Sequence, residues 1–141
     1  MKGKFVVTAL AVVLFSSFAA HAQSTEGKTP DLDERCEMQA DRLELDLKLE
    51  PWQTFRVDST LKAVYHGMTD EINDMQAAKI GNTSLYQQVQ DKWLDRLDEA
   101  YMKIFTEDQW NEYLKRGAAR LRKARDKRRE KLEQSAVQKK K

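Results

Sequence analysis

The sequence has little of the chemistry on which disulfide-bonded folds and most enzyme sites depend. Its 141 residues include one cysteine, two histidines, two prolines and five glycines. A single cysteine excludes an intrachain disulfide and a multi-cysteine zinc site, and so few turn-forming residues disfavour a fold of many short strands. Charged residues make up 34% of the chain, and high charge with few helix breakers favours helices. The sequence shows no glycine-rich phosphate loop, metal-ligand cluster or nucleophile–base pair, so neither an enzyme nor a cofactor is predicted.

The N-terminal segment has the pattern of an export signal. Lys2 and Lys4 precede an apolar run, and Ala20-His21-Ala22 supplies the small residues of a cleavage site. We interpret residues 1–22 as a cleaved signal peptide, with an uncleaved membrane anchor as the alternative. The protein is therefore expected to be periplasmic, with residues 23–30 as a disordered linker before the folded domain.

Apolar residues recur three or four positions apart through the rest of the chain, which predicts amphipathic helices. The first begins at Asp31 or Asp33, and Pro51 separates it from the second, because a proline disfavours helix just before it and fits a first helical turn. Gly81-Asn82 is predicted to close the second helix. Two capping boxes, Ser84/Gln87 and Thr106/Gln109, are predicted to start the third and fourth. The apolar stripes are Leu32, Cys36, Ala40, Leu43 and Leu47, then Trp52, Phe55, Leu61, Val64, Met68, Ile72 and Met75, then Leu85, Val89, Trp93, Leu97, Ala100, Tyr101 and Ile104, then Trp110, Tyr113, Leu114, Gly117, Leu121 and Ala124.

These helices are long for so short a chain. At ~1.5 Å per residue, a helix over 51–80 spans roughly 45 Å. The predicted fold is therefore all-α, an elongated, bent antiparallel bundle of about four helices with a long basic C-terminal helix. Such a layer leaves one face under-covered unless a second copy joins it. We expect a domain over 31–124 and a charged extension over 125–141 that projects into solvent or frays.

A pentad occurs twice, each time between two predicted helices. Leu49-Glu50-Pro51-Trp52-Gln53 and Phe105-Thr106-Glu107-Asp108-Gln109 lie 56 residues apart (105 − 49). In each pentad an apolar residue closes the end of the hairpin, a cap starts the helix, and a glutamine reaches back to free N–H groups. The residues predicted to be structural are Leu49, Pro51, Gln53, Phe105, Thr106 and Gln109.

This twice-occurring Leu-Thr-x-x-Gln pentad, in a small exported helical chain, resembles that of the Spy/CpxP family of periplasmic proteins. Glu50 stands where that pattern has threonine, and Phe105 where it has leucine. The resemblance covers about residues 32–125 and implies a cradle-shaped antiparallel homodimer of bent four-helix protomers. It also implies ATP-independent holding of unfolded or misfolded envelope proteins, or an accessory role in sensing envelope stress through a specific partner such as a sensor domain.

Basic residues are concentrated at the C-terminal end. Residues 23–114 carry 10 Lys+Arg and 20 Asp+Glu, a net charge of −10, whereas residues 115–141 carry 13 and 3, a net charge of +10. Three interpretations follow. The cations pair with acids of this chain or of a second copy, or they attract acidic clients or an anionic membrane surface, or they bind nucleic acid. Export removes the usual nucleic-acid partner, so none is expected.

An apolar concave face is what a promiscuous holder of unfolded chains needs. Methionine adapts its shape, aromatic side chains offer large contact area, and basic residues speed encounter with acidic segments. Most aromatic residues are expected in the core, but a thin layer cannot cover all of them. The candidate client-binding residues are Met68, Met75, Trp93, Arg116, Arg120 and Lys123.

Two further residues have alternative interpretations. Cys36 lies on the first apolar stripe and is either a buried small hydrophobic residue or, in an oxidising compartment, the site of an intermolecular disulfide. His66 shares a helix face with Asp70 and Asp74. One histidine and two single carboxylates are a poor zinc site, so a solvated helix face is the preferred interpretation and no metal is predicted.

Overall fold

The computed structural model describes residues 29–139, which form an all-α bundle without strands in that range. The elements are α1 (Leu32–Leu47), α2 (Pro51–Ala77), α3 (Thr83–Ile104), α4 (Glu107–Tyr113), a π-helical segment (Leu114–Ala118) and α5 (Ala119–Gln138). The all-α prediction is confirmed. The predicted signal peptide and most of the linker lie outside the described residues, so export stays a prediction.

Local caps begin the first helix and end it where the sequence predicts. Glu34 N–H donates to Asp31 Oδ1 at 2.9 Å and Asp31 N–H donates to Glu34 Oε2 at 3.0 Å, a capping box that starts α1. Lys48 follows the last residue of α1 in a left-handed conformation with φ 54°. Pro51 then occupies the first turn of α2, where its missing N–H costs nothing.

The end of α2 differs from the prediction. The helix ends at Ala77, and the left-handed residue is Lys79, with φ 55°, instead of Gly81. Ile80 N–H reaches back to the Met75 carbonyl at 3.0 Å, which closes the helix end as in a Schellman motif. The chain therefore turns away from the helix at Lys79, two residues before Gly81.

The start of α3 also differs. Asn82 is its N-cap and accepts a hydrogen bond from Ser84 N–H at 3.0 Å. The predicted Ser84/Gln87 capping box is therefore wrong, because asparagine, an equally good cap, lies nearer the preceding turn. Gln87 instead donates to Asp91 Oδ1 at 3.1 Å, further along α3.

The core lies on the face of α2 that meets α1 and α3. The stripe predicted for α2 is wrong at its start, because Trp52 and Phe55 are 58% and 71% exposed while Val57 is fully buried. The predicted stripe continued across the gap between Phe55 and Leu61, and it therefore combined residues from two different faces of α2. The buried apolar residues are Cys36, Ala40, Leu47, Leu49, Val57, Leu61, Val64, Met68, Leu97, Tyr101, Ile104, Phe105 and Ala118.

The predicted fourth helix is interrupted. α4 has seven residues and is followed by the π-helical segment, in which Gly117 has φ 120° and ψ −14°. L-residues rarely adopt such a φ, so glycine is required at this kink. α5 then continues as a helix to Gln138, and Arg125 near its start is only 5% exposed. The expectation that the chain projects into solvent from Arg125 onward is therefore wrong for the first turns of α5.

Candidate functional site

The two pentads meet in space through their glutamines. Gln53 Nε2 donates to Gln109 Oε1 at 2.7 Å, and Gln109 Nε2 donates to Gln53 Oε1 at 3.1 Å. Each glutamine oxygen also accepts the N–H at the start of its own helix, from Glu50 at 2.8 Å or from Thr106 at 3.0 Å. The glutamines therefore satisfy their own helix starts and join the two turns to each other.

Each glutamine also binds the helix end that precedes the other's turn. Gln53 Nε2 donates to the Ile104 carbonyl at 2.8 Å, and Gln109 Nε2 donates to the Lys48 carbonyl at 3.3 Å. Lys48 and Ile104 are 56 residues apart (104 − 48), the spacing of the pentads themselves. The hydrogen-bond pattern is thus the same in both turns. Their apolar residues are also equivalent, because Leu49 and Phe105 are each 7% exposed.

An open groove lies between α2 and α3 and has a volume of about 470 Å³. We call it the α2–α3 groove. Phe55 is one of its lining residues, and Trp52 lies one turn earlier on α2, outside the lining; both aromatic side chains are exposed. Two guanidinium groups also line it. The lining residues are Phe55, Arg56, Ser59, Thr60, Ala63, Val64, Trp93, Arg96 and Ala100.

Trp93 is a rigid wall of this groove. Its ring lies so close to Gly67 that a Cβ at that position would be 2.3 Å from the indole. The indole Nε1 donates to Glu71 Oε2 at 2.7 Å, and the Arg96 guanidinium lies 4.5 Å from the ring centroid. The pKa of Glu71 is lowered, chiefly because Lys92 hydrogen-bonds its carboxylate. Of the predicted apolar candidates, Trp93 is the one that lines the groove.

The other candidates are placed differently. Met68 is 6% exposed in the core and contributes no surface, which corrects its assignment as a client-binding residue. Met75 is half-buried near the end of α2. Arg116 pairs with Asp46 at 3.2 Å and with Glu112 at 3.0 Å. The exposed basic candidates on α5 are Arg120 and Lys123.

Ion pairs hold α5 against α3. Arg125 Nε lies 2.7 Å from Asp95 Oδ1, and the same guanidinium also donates to Asp98. Arg128 donates two hydrogen bonds to Asp91, each 2.7 Å long. Pairing within the chain is therefore confirmed for the arginines that face α3, which also include Arg122 and Arg129.

The centre of this ion-pair cluster is buried. Asp98 is 5% exposed, and burial raises its pKa even though Arg125 and Arg122 favour its charged form. Burial alone would lower the pKa of Arg125, but hydrogen bonds to Asp95 and attraction by Asp98 raise it. Tyr113 OH also donates to Asp98 Oδ1 at 3.3 Å. In both Asp98 and Arg125, burial and the neighbouring opposite charges therefore act on the pKa in opposite directions.

The structure places Cys36 in the core and His66 beside an aspartate on the surface. Cys36 is 2% exposed, and burial raises the pKa of its thiol to about 11, so the thiol is unreactive in the folded chain and the buried-hydrophobic interpretation is favoured. His66 Nε2 lies 2.6 Å from Asp33 Oδ1. Within residues 29–139, no group of three or more His, Cys, Asp or Glu side chains is arranged to hold a metal ion.

Comparisons with protein-family models, curated proteins and solved structures find no match to this chain. The resemblance to the Spy/CpxP family therefore stays a prediction that depends on the pentads. Among the helices of residues 29–139, none has the length and apolar character needed to cross a membrane.

Proposed function

We propose that this protein holds unfolded or stress-damaged envelope proteins, without ATP, on the outer face of α2. The observation that carries the proposal is the 58% and 71% exposure of Trp52 and Phe55 on successive turns of α2, where Phe55 lines the α2–α3 groove. Exposed apolar patches of this kind mark contact sites. Aromatic side chains there can bury apolar client residues as soon as the two chains meet.

The groove has the chemistry for weak, varied contacts. Ser59, Ala63 and Ala100 leave room for client side chains, and Arg56 and Arg96 offer donors to carboxylates and carbonyl groups. The helices beneath are already ordered, so binding orders few groups of the holder itself. A surface that combines aromatic, small and cationic residues accepts many sequences without strong preference.

The proposal also includes membership of the Spy/CpxP family, residence in the periplasm and a homodimer. The two pentads support the family, and the Lys2–Ala22 pattern supports export. Exposed apolar side chains that do not line the groove, such as Leu85 and Met102 on α3, support the dimer, because a second copy would cover them. Sedimentation velocity over a range of concentrations tests the dimer, and a monomer at all concentrations would contradict it.

The function is tested by the aggregation of a denatured model client, followed by light scattering. The wild-type protein is expected to suppress aggregation at equimolar ratio without ATP. The variant Trp52→Ser/Phe55→Ser is expected to lose most of this suppression. The matched control is Met38→Ser/Leu45→Ser, which removes two apolar side chains that are 56% and 79% exposed on α1. The proposal fails if wild type does not suppress at several-fold excess, or if both variants behave alike.

A further inference from the structure

The basic residues of α5 lie on two faces with different surroundings. Arg122, Arg125, Arg128 and Arg129 turn toward α3 and pair with its aspartates. A second set recurs at spacings of three and four residues along the opposite face, and every member is exposed. We call it the outer basic row, which consists of Arg120, Lys123, Lys127 and Lys131.

The outer basic row has no internal counter-charge. Across residues 29–139, no carboxylate lies within ion-pair distance of any of its four members. Glu130 and Glu133 are on the same helix but form no ion pair within that range. The arginines on the inner face pair with Asp91, Asp95 and Asp98 of α3, and Arg129 also pairs with Asp126 of α5. The row is therefore available to an external anion.

We propose that the outer basic row binds the surface of an anionic lipid bilayer. From Arg120 to Lys131 the row extends along roughly 17 Å of one helix, at ~1.5 Å per residue. Residues in line on one face of a straight helix can all approach a plane at once. Each basic residue close to an anionic membrane strengthens binding about fivefold. The row itself contains no apolar residue that could insert between the acyl chains, and the exposed apolar residues of α5, Leu121, Leu132 and Val137, lie outside it.

The same arrangement favours a flat membrane surface over a nucleic-acid strand as the anion that the row binds. A nucleic-acid strand that wraps a helix needs cations on several of its faces, but the inner arginines of α5 are already paired with Asp91, Asp95 and Asp98. A membrane surface needs only the outer face. The ion pairs with α3 and the kink at Gly117 also fix α5 to the rest of the bundle, so the row is presented without further ordering.

The test measures binding of the purified protein to vesicles of phosphatidylcholine with and without phosphatidylglycerol. Wild type is expected to bind the anionic vesicles, more weakly as salt rises, and to bind neutral vesicles far less. The variant Lys123→Gln/Lys127→Gln/Lys131→Gln is expected to bind anionic vesicles about 100-fold more weakly, from a fivefold loss at each of three sites. Circular dichroism checks that it keeps its helices.

The matched control is Lys79→Gln/Lys103→Gln/Lys115→Gln, which removes the same charge from three exposed lysines outside the row. It is expected to stay within a few-fold of wild type. Equal losses in the two variants would overturn the proposal, since net charge alone would then explain binding. Tighter, row-dependent binding to a DNA oligonucleotide at the same salt would also overturn it.

This inference does not depend on client holding. The Trp52→Ser/Phe55→Ser variant keeps the outer basic row, so it is expected to bind anionic vesicles as wild type does. A shorter row variant, Lys127→Gln/Lys131→Gln, leaves the α2–α3 groove and every candidate client-binding residue unchanged, so it is expected to suppress aggregation normally while binding anionic vesicles about 25-fold more weakly. Either function can therefore fail in its own assay while the other remains.

Discussion

Replacing Gln53 by alanine removes the centre of the contact between the two pentads. The side chain is 1% exposed, accepts from Glu50 N–H at 2.8 Å and donates to the Ile104 carbonyl at 2.8 Å. The substitution also removes one partner of the Gln109 amide, which keeps its hydrogen bonds to Lys48 and Thr106, and it leaves the Ile104 carbonyl without its side-chain donor. Each hydrogen bond contributes about 1 kcal/mol net, and a buried group left without a partner costs about 1–3 kcal/mol. We expect the free energy of unfolding to fall by about 3 kcal/mol.

Urea unfolding of a double-mutant cycle measures this effect. Gln109→Ala is expected to cost less, about 1–2 kcal/mol, because Gln109 is only half-buried. Since the two amides share hydrogen bonds, the double variant should lose less than the sum, with a coupling of about 1 kcal/mol. Gln76→Ala is the control, an exposed glutamine of α2, expected within about 0.5 kcal/mol of wild type. Additive losses, or a Gln53→Ala variant as stable as the control, would refute the reasoning.

Three further stability predictions concern single side chains and are checked by urea unfolding. Gly117→Ala should destabilise by about 1–2 kcal/mol. The cause is the positive φ alone, because an added Cβ would meet no atom within 4 Å. Gly81→Ala, also in open space but without a positive φ, should be harmless, and equal effects would contradict the argument. Tyr101→Phe should stabilise by about 1 kcal/mol, because the Tyr101 hydroxyl is buried without a hydrogen-bond partner among the described residues; a clear loss would show that it has one. The pKa of Glu71 is lowered chiefly by a hydrogen bond from Lys92. The stability that ionised Glu71 contributes is therefore fully present above the ordinary pKa of glutamate, and it is lost as the pH falls through the pKa of Glu71 in the folded protein. Glu71→Gln should therefore lose stability at neutral pH but not in acid, and a difference that persists in acid would contradict this.

The sequence predicts well those features that local chemistry decides. Asp31 and Thr106 start helices because their side chains accept hydrogen bonds from N–H groups of the first turn. Pro51 fits the first turn of α2 because it has no N–H that needs a partner. The pentads were recognised as structural for the same reason. Their direct contact was not predicted, because a spacing along the chain does not show that Gln53 and Gln109 point at each other. The available signal for this contact was the 56-residue spacing, which separates the two glutamines and also the two carbonyl groups that they bind, those of Lys48 and Ile104.

The errors occur where distant residues decide the outcome. Trp52 and Phe55 fit a helical period as well as Val57 does, and only the position of the neighbouring helices separates the two faces. The burial of Arg125 depends on Asp95 and Asp98 on another helix. A signal for it was present, because aspartates and arginines recur at matching helical spacings on α3 and α5. Local hydropathy alone assigned that segment to solvent.

The central claim, that clients bind at the outer face of α2, is tested most directly by the fluorescence of Trp52. An unfolded client without tryptophan is added, and the emission of the protein is recorded. Burial of an indole that is 58% exposed should shift the emission to shorter wavelength. The shift should be much smaller in Trp52→Phe, which keeps an aromatic ring for binding and leaves Trp93 and Trp110 as the emitters, and it should persist in full in Met38→Ser/Leu45→Ser. A bound client that leaves the emission unchanged, or an equal shift in Trp52→Phe, would contradict the account.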